Sequence, residues 1–264
     1  MTSHRAAGFF RGRHIARVLE DPDLPGRHKL LALLLGTRPF HVVATRLSHA
    51  GERRGIGWLT YNPLLALWYH GKAVGSAAGV ARTLERVFPA AQDYADVGAG
   101  SGAFAAFAAR RGRRVVACEY ARVGRWLARL QRVDSRAFNL TRDPPASLGG
   151  PFDLAYCFEV AEHVDAQLGS RLVAYLAGLA PTVVFTAAQP RQGGHGHVNE
   201  QPKDFWIDAF QQVGMHHRPD LSDEVAAGFR QEGVIYWLVE NVLVFERALE
   251  GGRGAHRTTC LRDP

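Results

Sequence analysis

The stretch Asp96-Val97-Gly98-Ala99-Gly100-Ser101-Gly102 (DVGAGSG) follows the apolar run Tyr94–Val97 and opens the Ala-rich stretch Gly102–Arg111. A strand that passes straight into a helix needs residues that tolerate positive φ and let a ligand come close to the backbone. The three alternating glycines supply both. Their spacing is GxGxG rather than the GxGxxG of dinucleotide folds, and an acid stands two residues ahead of the first glycine. A carboxylate there suits a ligand that carries an ammonium group and would repel a pyrophosphate.

Outward from this loop, short apolar runs alternate with helical stretches. Strands are expected at Tyr94–Val97, Arg114–Cys118, Leu154–Phe158, Thr182–Thr186 and Val239–Phe245. Helices are expected at Leu64–His70, Val80–Phe88, Gly102–Arg111, Val123–Leu130, Gln167–Leu176 and Lys203–Val213. This alternation implies βαβ units and a mainly parallel sheet covered on both faces. The second strand ends in Ala117-Cys118-Glu119-Tyr120, which puts an acid at its tip, 23 residues after Asp96. Glu119 is placed to accept hydrogen bonds from both hydroxyls of a ribose. Asn139, in Phe138-Asn139-Leu140, falls where an amide would read an adenine edge, with Phe138 or Leu140 packing on the ring.

With DVGAGSG, ACEY and FDLAYCFEVAEHV (Phe152–Val164) in this order and spacing, residues 90–248 resemble the class I S-adenosylmethionine (SAM)-dependent methyltransferases. The resemblance implies an α/β, Rossmann-like fold: a mainly parallel seven-stranded sheet with helices on both faces. It implies SAM as cofactor, with Gly98, Gly100 and Gly102 lining its methionine side, Asp96 near its amino group and Glu119 on the ribose. Asn139 departs from the aspartate that the family more often carries. Phe158, at the ligand-facing end of its strand, is expected beside the methyl group.

Glu159-Val160-Ala161-Glu162-His163 follows that strand directly. In a helical turn Glu159, Glu162 and His163 would share one side, at i, i+3 and i+4. Two chemistries fit. His163, helped by Glu162, is a general base for an acceptor hydroxyl; alternatively the carboxylates and imidazole bind a divalent ion (Mg, Mn, Fe or Zn). The glycine-rich loop after Thr182–Thr186, QPRQGGHGHVNEQP, carries His195 and His197 and leaves the carboxyl end of a neighbouring strand. His197 is therefore a candidate to join Glu159, Glu162 and His163, as catalytic group or metal ligand. ExxEH with a later histidine also resembles two metal-using branches of the family, the small-RNA 3′-terminal 2′-O-methyltransferases and the ubiquinone-biosynthesis O-methyltransferases. HVNEQPKDFWIDAF is similar to a segment common in methyltransferases of sugar and natural-product tailoring. Tyr61 and His70 are acceptor-side candidates; Trp206 and Phe210 are expected in the core.

Composition is that of an ordinary globular protein, 47% hydrophobic and 22% charged. The formal charge of +7 lies within residues 1–95, which hold 13 basic and 6 acidic side chains; residues 96–264 are balanced. Such an excess attracts anions, nucleic acid among them, but no nucleic-acid motif accompanies it. Three cysteines give no disulfide framework. LLALLLG (Leu30–Gly36) is too short to cross a bilayer, so no membrane is expected. The first residues lack the apolar core and cleavage site of a secretory signal, which points to the cytoplasm.

The organisation expected is an N-terminal helical cap over 1–90, a SAM-binding core over 91–248 and a flexible tail over 249–264. The activity expected is O-methylation of a small molecule. RNA 2′-O-methylation, a non-catalytic SAM-binding partner subunit and a nicotinamide enzyme are the rival readings. The acceptor and the oligomeric state are not legible.

Overall fold

The computed structural model describes residues 19–247, apart from 23, 36, 57, 58, 60 and 61. Trp58, Tyr61 and the tail expected over 249–264 lie outside the described residues.

Seven strands form one sheet: β1 (Asp93–Val97), β2 (Arg114–Glu119), β3 (Ser135–Ala137), β4 (Leu154–Phe158), β5 (Thr182–Thr186), β6 (Met215–His217) and β7 (Leu243–Arg247). Their order is β3-β2-β1-β4-β5-β7-β6, and only β7 runs antiparallel to its neighbours. The order reverses between β1 and β4, where open α/β sheets bind their ligands. Register places Asp96 beside Tyr156 and Phe158 beside Thr186. The ends of β1, β2, β4 and β5 thus meet along one edge of the sheet.

Side chains alternate across the central strands, as a period of two requires. Ala155 and Cys157 of β4, with Val183 and Phe185 of β5, pack beneath α6 (Ala166–Leu179) and α7 (Lys203–Gln212). Trp206 and Phe210 of α7 are fully buried there, as expected. Leu154, Tyr156 and Phe158 face the other way, onto α3 (Pro63–Val87), α4 (Ala103–Arg110) and α8 (Pro219–Gln231). The remaining helices are α1 (Gly26–Leu35), α2 (Arg38–Arg54), α5 (Arg122–Leu130) and α9 (Tyr236–Asn241).

Three sequence expectations change. The separate helices expected near Leu64–His70 and around Val80–Phe88 are one 25-residue helix, α3. Its middle is rich in Gly and Ala, which weakens the apolar pattern, but Val74, Ala77, Ala78 and Ala81 are buried against α1 and α4. Tertiary packing overrides propensity. The run expected as a strand over Val239–Phe245 is split: Asn241 ends α9 and β7 begins at Leu243. Periodicity cannot divide a continuous apolar run between a buried helix and a buried strand. Two three-residue strands, β3 and β6, and helix α8 were not anticipated.

Helices α1 and α2 pack on α3. Asn62 caps α3, accepting from the Leu65 amide, and donates to the Ala44 carbonyl of α2, which ties the two helices together. Arg82 of α3 bonds both Asp21 and Glu232, fastening the N-terminal segment to the core.

Candidate active site

The glycine loop turns as the sequence requires: Gly98, Gly100 and Gly102 have φ of 74°, 53° and 71°. A Cβ on Gly100 would meet nothing within 4 Å, so an open cradle lies over the loop. Below it Asp96 is buried, with Oδ2 lacking any hydrogen-bond partner. Burial pushes its carboxyl up to about 8, with the Glu119 charge adding to the rise. The Glu119 carboxylate accepts from the amides of Gly100 (2.8 Å) and Ala121 (2.6 Å), one bond to each oxygen, which leaves lone pairs for further donors. An open glycine cradle, an unpartnered buried carboxylate oxygen and an acid at the next strand end fit an amino acid joined to a ribonucleoside.

The adenine side differs from expectation in detail. Asn139 stands just beyond β3, where its Oδ1 accepts from the amide and hydroxyl of Thr141. Only its NH₂ group is left to read a base. Phe138 does not offer a ring-packing face; it is buried against Tyr175, 4.6 Å between centroids. Phe158 is buried in an aromatic cluster with Tyr156 and Phe104.

Glu159 leaves β4 with φ of 54°, a left-handed conformation uncommon for a non-glycine residue and often tied to function. Its amide donates to the Thr186 hydroxyl, and its carboxylate accepts from Asn241 (3.1 Å) and Gln192 (3.4 Å). A single 3₁₀ turn, Ala161–His163, follows. It buries Glu162 completely, at 0% exposure, and neither carboxylate oxygen has a hydrogen-bond partner. Burial, with Glu159 close by, holds the Glu162 carboxyl well above the usual carboxylate range.

The loop after β5 is strapped onto this turn. The amides of Val198 and Asn199 donate to the Glu162 carbonyl, and the buried Asn199 side chain donates to the Ala161 carbonyl. The strap brings His197 to His163, with ring centroids 5.0 Å apart. One ligand atom each from Glu162, His163 and His197 lie within 4.8 Å of one another. Glu159, the fourth residue expected in the set, stays outside this cluster, held by its two amide donors. His195 turns toward His49 of α2 instead, 5.1 Å between rings.

Both imidazoles are oriented through Nδ1. In His163 it faces the Gly196 carbonyl at 3.3 Å; in His197 it faces the Glu200 carboxylate at 2.8 Å. A ring nitrogen that donates in this way leaves the lone pair on Nε2; in His197 that atom packs against Gly194, where an added Cβ would stand 2.1 Å from it. Crowding by the protein and the neighbouring His197 and His195 rings hold His163 down to about 4. His163 itself is exposed, so solvent reaches the ring, and both roles left open by EVAEH, base and ligand, stay open to it.

A family model described as a methyltransferase domain matches residues 73–217, more than half of the sequence. The chain belongs to this methyltransferase family. No curated protein matches it. Among solved structures it is similar to SAM-bound CalS10, an amino pentose methyltransferase from Micromonospora echinaspora, at 19% identity and a TM-score of 0.51, over 65% of this chain and 89% of that one. It is also similar to the sugar N-methyltransferase KedS8 from Streptoalloteichus sp ATCC 53650, at 16% identity and 0.52, over 69% and 91%. A third is an O-methyltransferase family protein from Burkholderia thailandensis, at 16% and 0.52, over 73% and 62%. The fold is that of the class I SAM-dependent methyltransferases.

Several site residues of the methyltransferase escaped the sequence reading. Gln192 and Asn241 hold Glu159, but Asn241 lay hidden inside a supposed strand. Gly124 lets α5 approach the loop; a Cβ there would stand 2.6 Å from the Gly100 carbonyl oxygen. Tyr69 of α3, 39% exposed, lies within range of the Glu162 and Glu159 charges, which with burial push its phenol up to about 12. His70, the neighbouring acceptor-side candidate, is buried, and its Nδ1 has no hydrogen-bond partner.

Asp96 gives a pH-dependent prediction. A carboxyl whose pKa rises on folding favours the folded state while protonated; that contribution is whole below its unfolded value of 3.8 and is lost as pH climbs toward about 8. Asp96→Asn should flatten the fall in melting temperature between those limits. It should also weaken SAM binding about 10–100-fold, the scale of one lost hydrogen bond to a charged group. Thermal melts across pH and calorimetric titration with SAM check both; an unchanged pH slope would sink the assignment.

Proposed function

We propose that the protein transfers the methyl group of SAM to a hydroxyl of a small molecule of the sugar or natural-product type, beside a divalent-cation seat made by Glu162, His163 and His197. The observation that carries this reading is Glu162: a fully buried carboxylate with both oxygens unpartnered, facing two imidazoles whose Nδ1 atoms are already tied to oxygens. A buried carboxylate is kept when it is paired or binds a metal. One carboxylate and two imidazoles suit Mn, Fe or Zn better than Mg, which prefers oxygen ligands.

SAM supplies a methyl carbon on a cationic sulfur, ready for in-line attack. A divalent ion held by Glu162, His163 and His197 would supply Lewis-acid chemistry that eases loss of the acceptor hydroxyl's proton to solvent. The chain's own part is placement. The glycine loop and Asp96 hold the amino-acid end of the cofactor, Glu119 the ribose, and Asn139 the base. Glu159, fixed by Asn241 and Gln192, keeps the turn that carries Glu162 and His163 in place. Tyr69 and the α3 helix close the acceptor side. Alignment of reacting groups is worth about 7–11 kcal/mol in favourable cases, so rigid placement accounts for much of the rate.

The test separates the parts. Protein stripped with chelator is titrated by calorimetry with Mn²⁺ and with Zn²⁺, and separately with SAM. One ion per chain, together with SAM binding that survives stripping, is the expected outcome. SAM binding without any stoichiometric ion removes the cation seat; no SAM binding removes the methyltransferase reading itself.

A further inference from the structure

Helices α1 and α2 bury one side against α3 and turn a mixed apolar and basic face outward. On α1, Arg27, Leu30 and Leu34 line one row, the two leucines each 57% exposed. On α2, Val43, Leu47 and Arg54 form a row at i, i+4 and i+11, with Val43 52% exposed and Arg46 and Arg53 beside it. Large apolar side chains repeated on one face of a surface helix mark a surface that meets something.

Charge says what. Residues 26–54 hold six basic side chains and one acid, Glu52. The residues before the described structure add Arg5, Arg11, Arg13 and Arg17 and no acid within 1–18. A second copy of the chain would set these arginines against each other, and residues 1–18 would do the same if they lay across the face. Nucleic acid would pair with the arginines but leave the leucines and valines in water. An anionic bilayer surface satisfies both, taking the apolar side chains among its acyl chains and the guanidinium groups at its headgroups. Among the described residues no single helix is long and apolar enough to cross a membrane; α1 with Pro39–Gly51 of α2 reaches that length and composition only as a pair bent by 57°, and both helices are packed along α3.

We infer that the α1–α2 face docks the protein peripherally on an anionic lipid surface. It stands against the sequence expectation of no membrane, and the vesicle experiment decides between them. It does not depend on the methyl acceptor or on the cation seat.

The full-length protein is sedimented with vesicles of phosphatidylcholine alone and with vesicles carrying a third phosphatidylglycerol, at low and physiological salt. The expected result is binding to the anionic vesicles, weakened by salt, with little binding to the neutral ones. The pair Leu34→Ser with Val43→Ser should lower that binding at least tenfold, and so should Arg46→Glu with Arg53→Glu. Unchanged melting and SAM binding of both variants would show that the fold is intact. Absence of binding to anionic vesicles overturns the proposal, as does binding that survives both pairs. It is equally overturned if light scattering shows a dimer that the serine pair dissociates, because the face then meets a second copy.

Discussion

Glu162→Gln should remove the stabilisation that a divalent ion gives this protein and lower methyl transfer by about a hundredfold or more. Loss of a mere hydrogen-bond partner to a metal ligand already costs 10–100-fold in affinity or activity. Glutamine keeps the shape of the side chain, so the turn Ala161–His163 and the strap from Val198 and Asn199 retain their backbone hydrogen bonds. What changes is the charge that two neutral imidazoles cannot supply. For the wild type, an ion at a hundred times its dissociation constant stabilises the fold by about 2.7 kcal/mol. For a chain of this size that is a rise of roughly 5–10 °C in melting temperature. The variant should show almost none of it. His197→Gln should lose the same rise, whereas a histidine that acted only as a base would leave it untouched. Melting curves with and without Mn²⁺ or Zn²⁺ decide between the two. Equal metal-induced shifts in wild type and Glu162→Gln would rule out the carboxylate as ligand.

The sheet and the cofactor loop were legible because each rests on local, strongly constrained chemistry. Buried parallel strands read as short apolar runs, and DVGAGSG needs its glycines wherever the chain continues. The pairing of EVAEH with GGHGHVNE was also legible in outline, since both leave carboxyl ends of adjacent strands. What the sequence could not specify was which members converge. Glu159 looks equivalent to Glu162 in the sequence, yet a left-handed backbone turns it toward Asn241 and Gln192, whose positions depend on the antiparallel return of β7. Tyr69 and His70 are neighbours on one helix; only the packing of α3 decides that the histidine is buried and the tyrosine part-exposed within range of the Glu162 and Glu159 charges. Long-range packing of this kind leaves no periodic trace. The outward face of α1 and α2 was missed for another reason: LLALLLG was tested for spanning length, not for which of its leucines the fold leaves uncovered.

Gly98 and Gly100 look interchangeable in the sequence and should behave oppositely when each is changed to alanine. Both have positive φ, so either substitution costs about 1–2 kcal/mol in backbone strain. At Gly98 the new Cβ would also lie 2.4 Å from Cγ2 of Val160, in the middle of EVAEH. Val160 must move, and overpacking of this kind adds about 1–3 kcal/mol. Gly98→Ala should therefore lower the melting temperature by roughly 5–15 °C and disturb the cation seat, because Val160 sits between Glu159 and Glu162. At Gly100 the Cβ meets no protein atom, so the fall should be only about 3–6 °C. It would instead occupy the cradle over the loop, and SAM affinity should drop at least about a hundredfold, some 2.7 kcal/mol. Adding Val160→Ala should recover part of the stability lost in Gly98→Ala and none of the affinity lost in Gly100→Ala, a coupling that a double-mutant cycle measures. Thermal melts and SAM titrations on the six proteins, wild type and the Val160→Ala single variant included, provide the readout. If the two glycine variants lose stability and affinity in the same proportion, the loop is not divided between a residue that braces the catalytic turn and a residue that receives the cofactor.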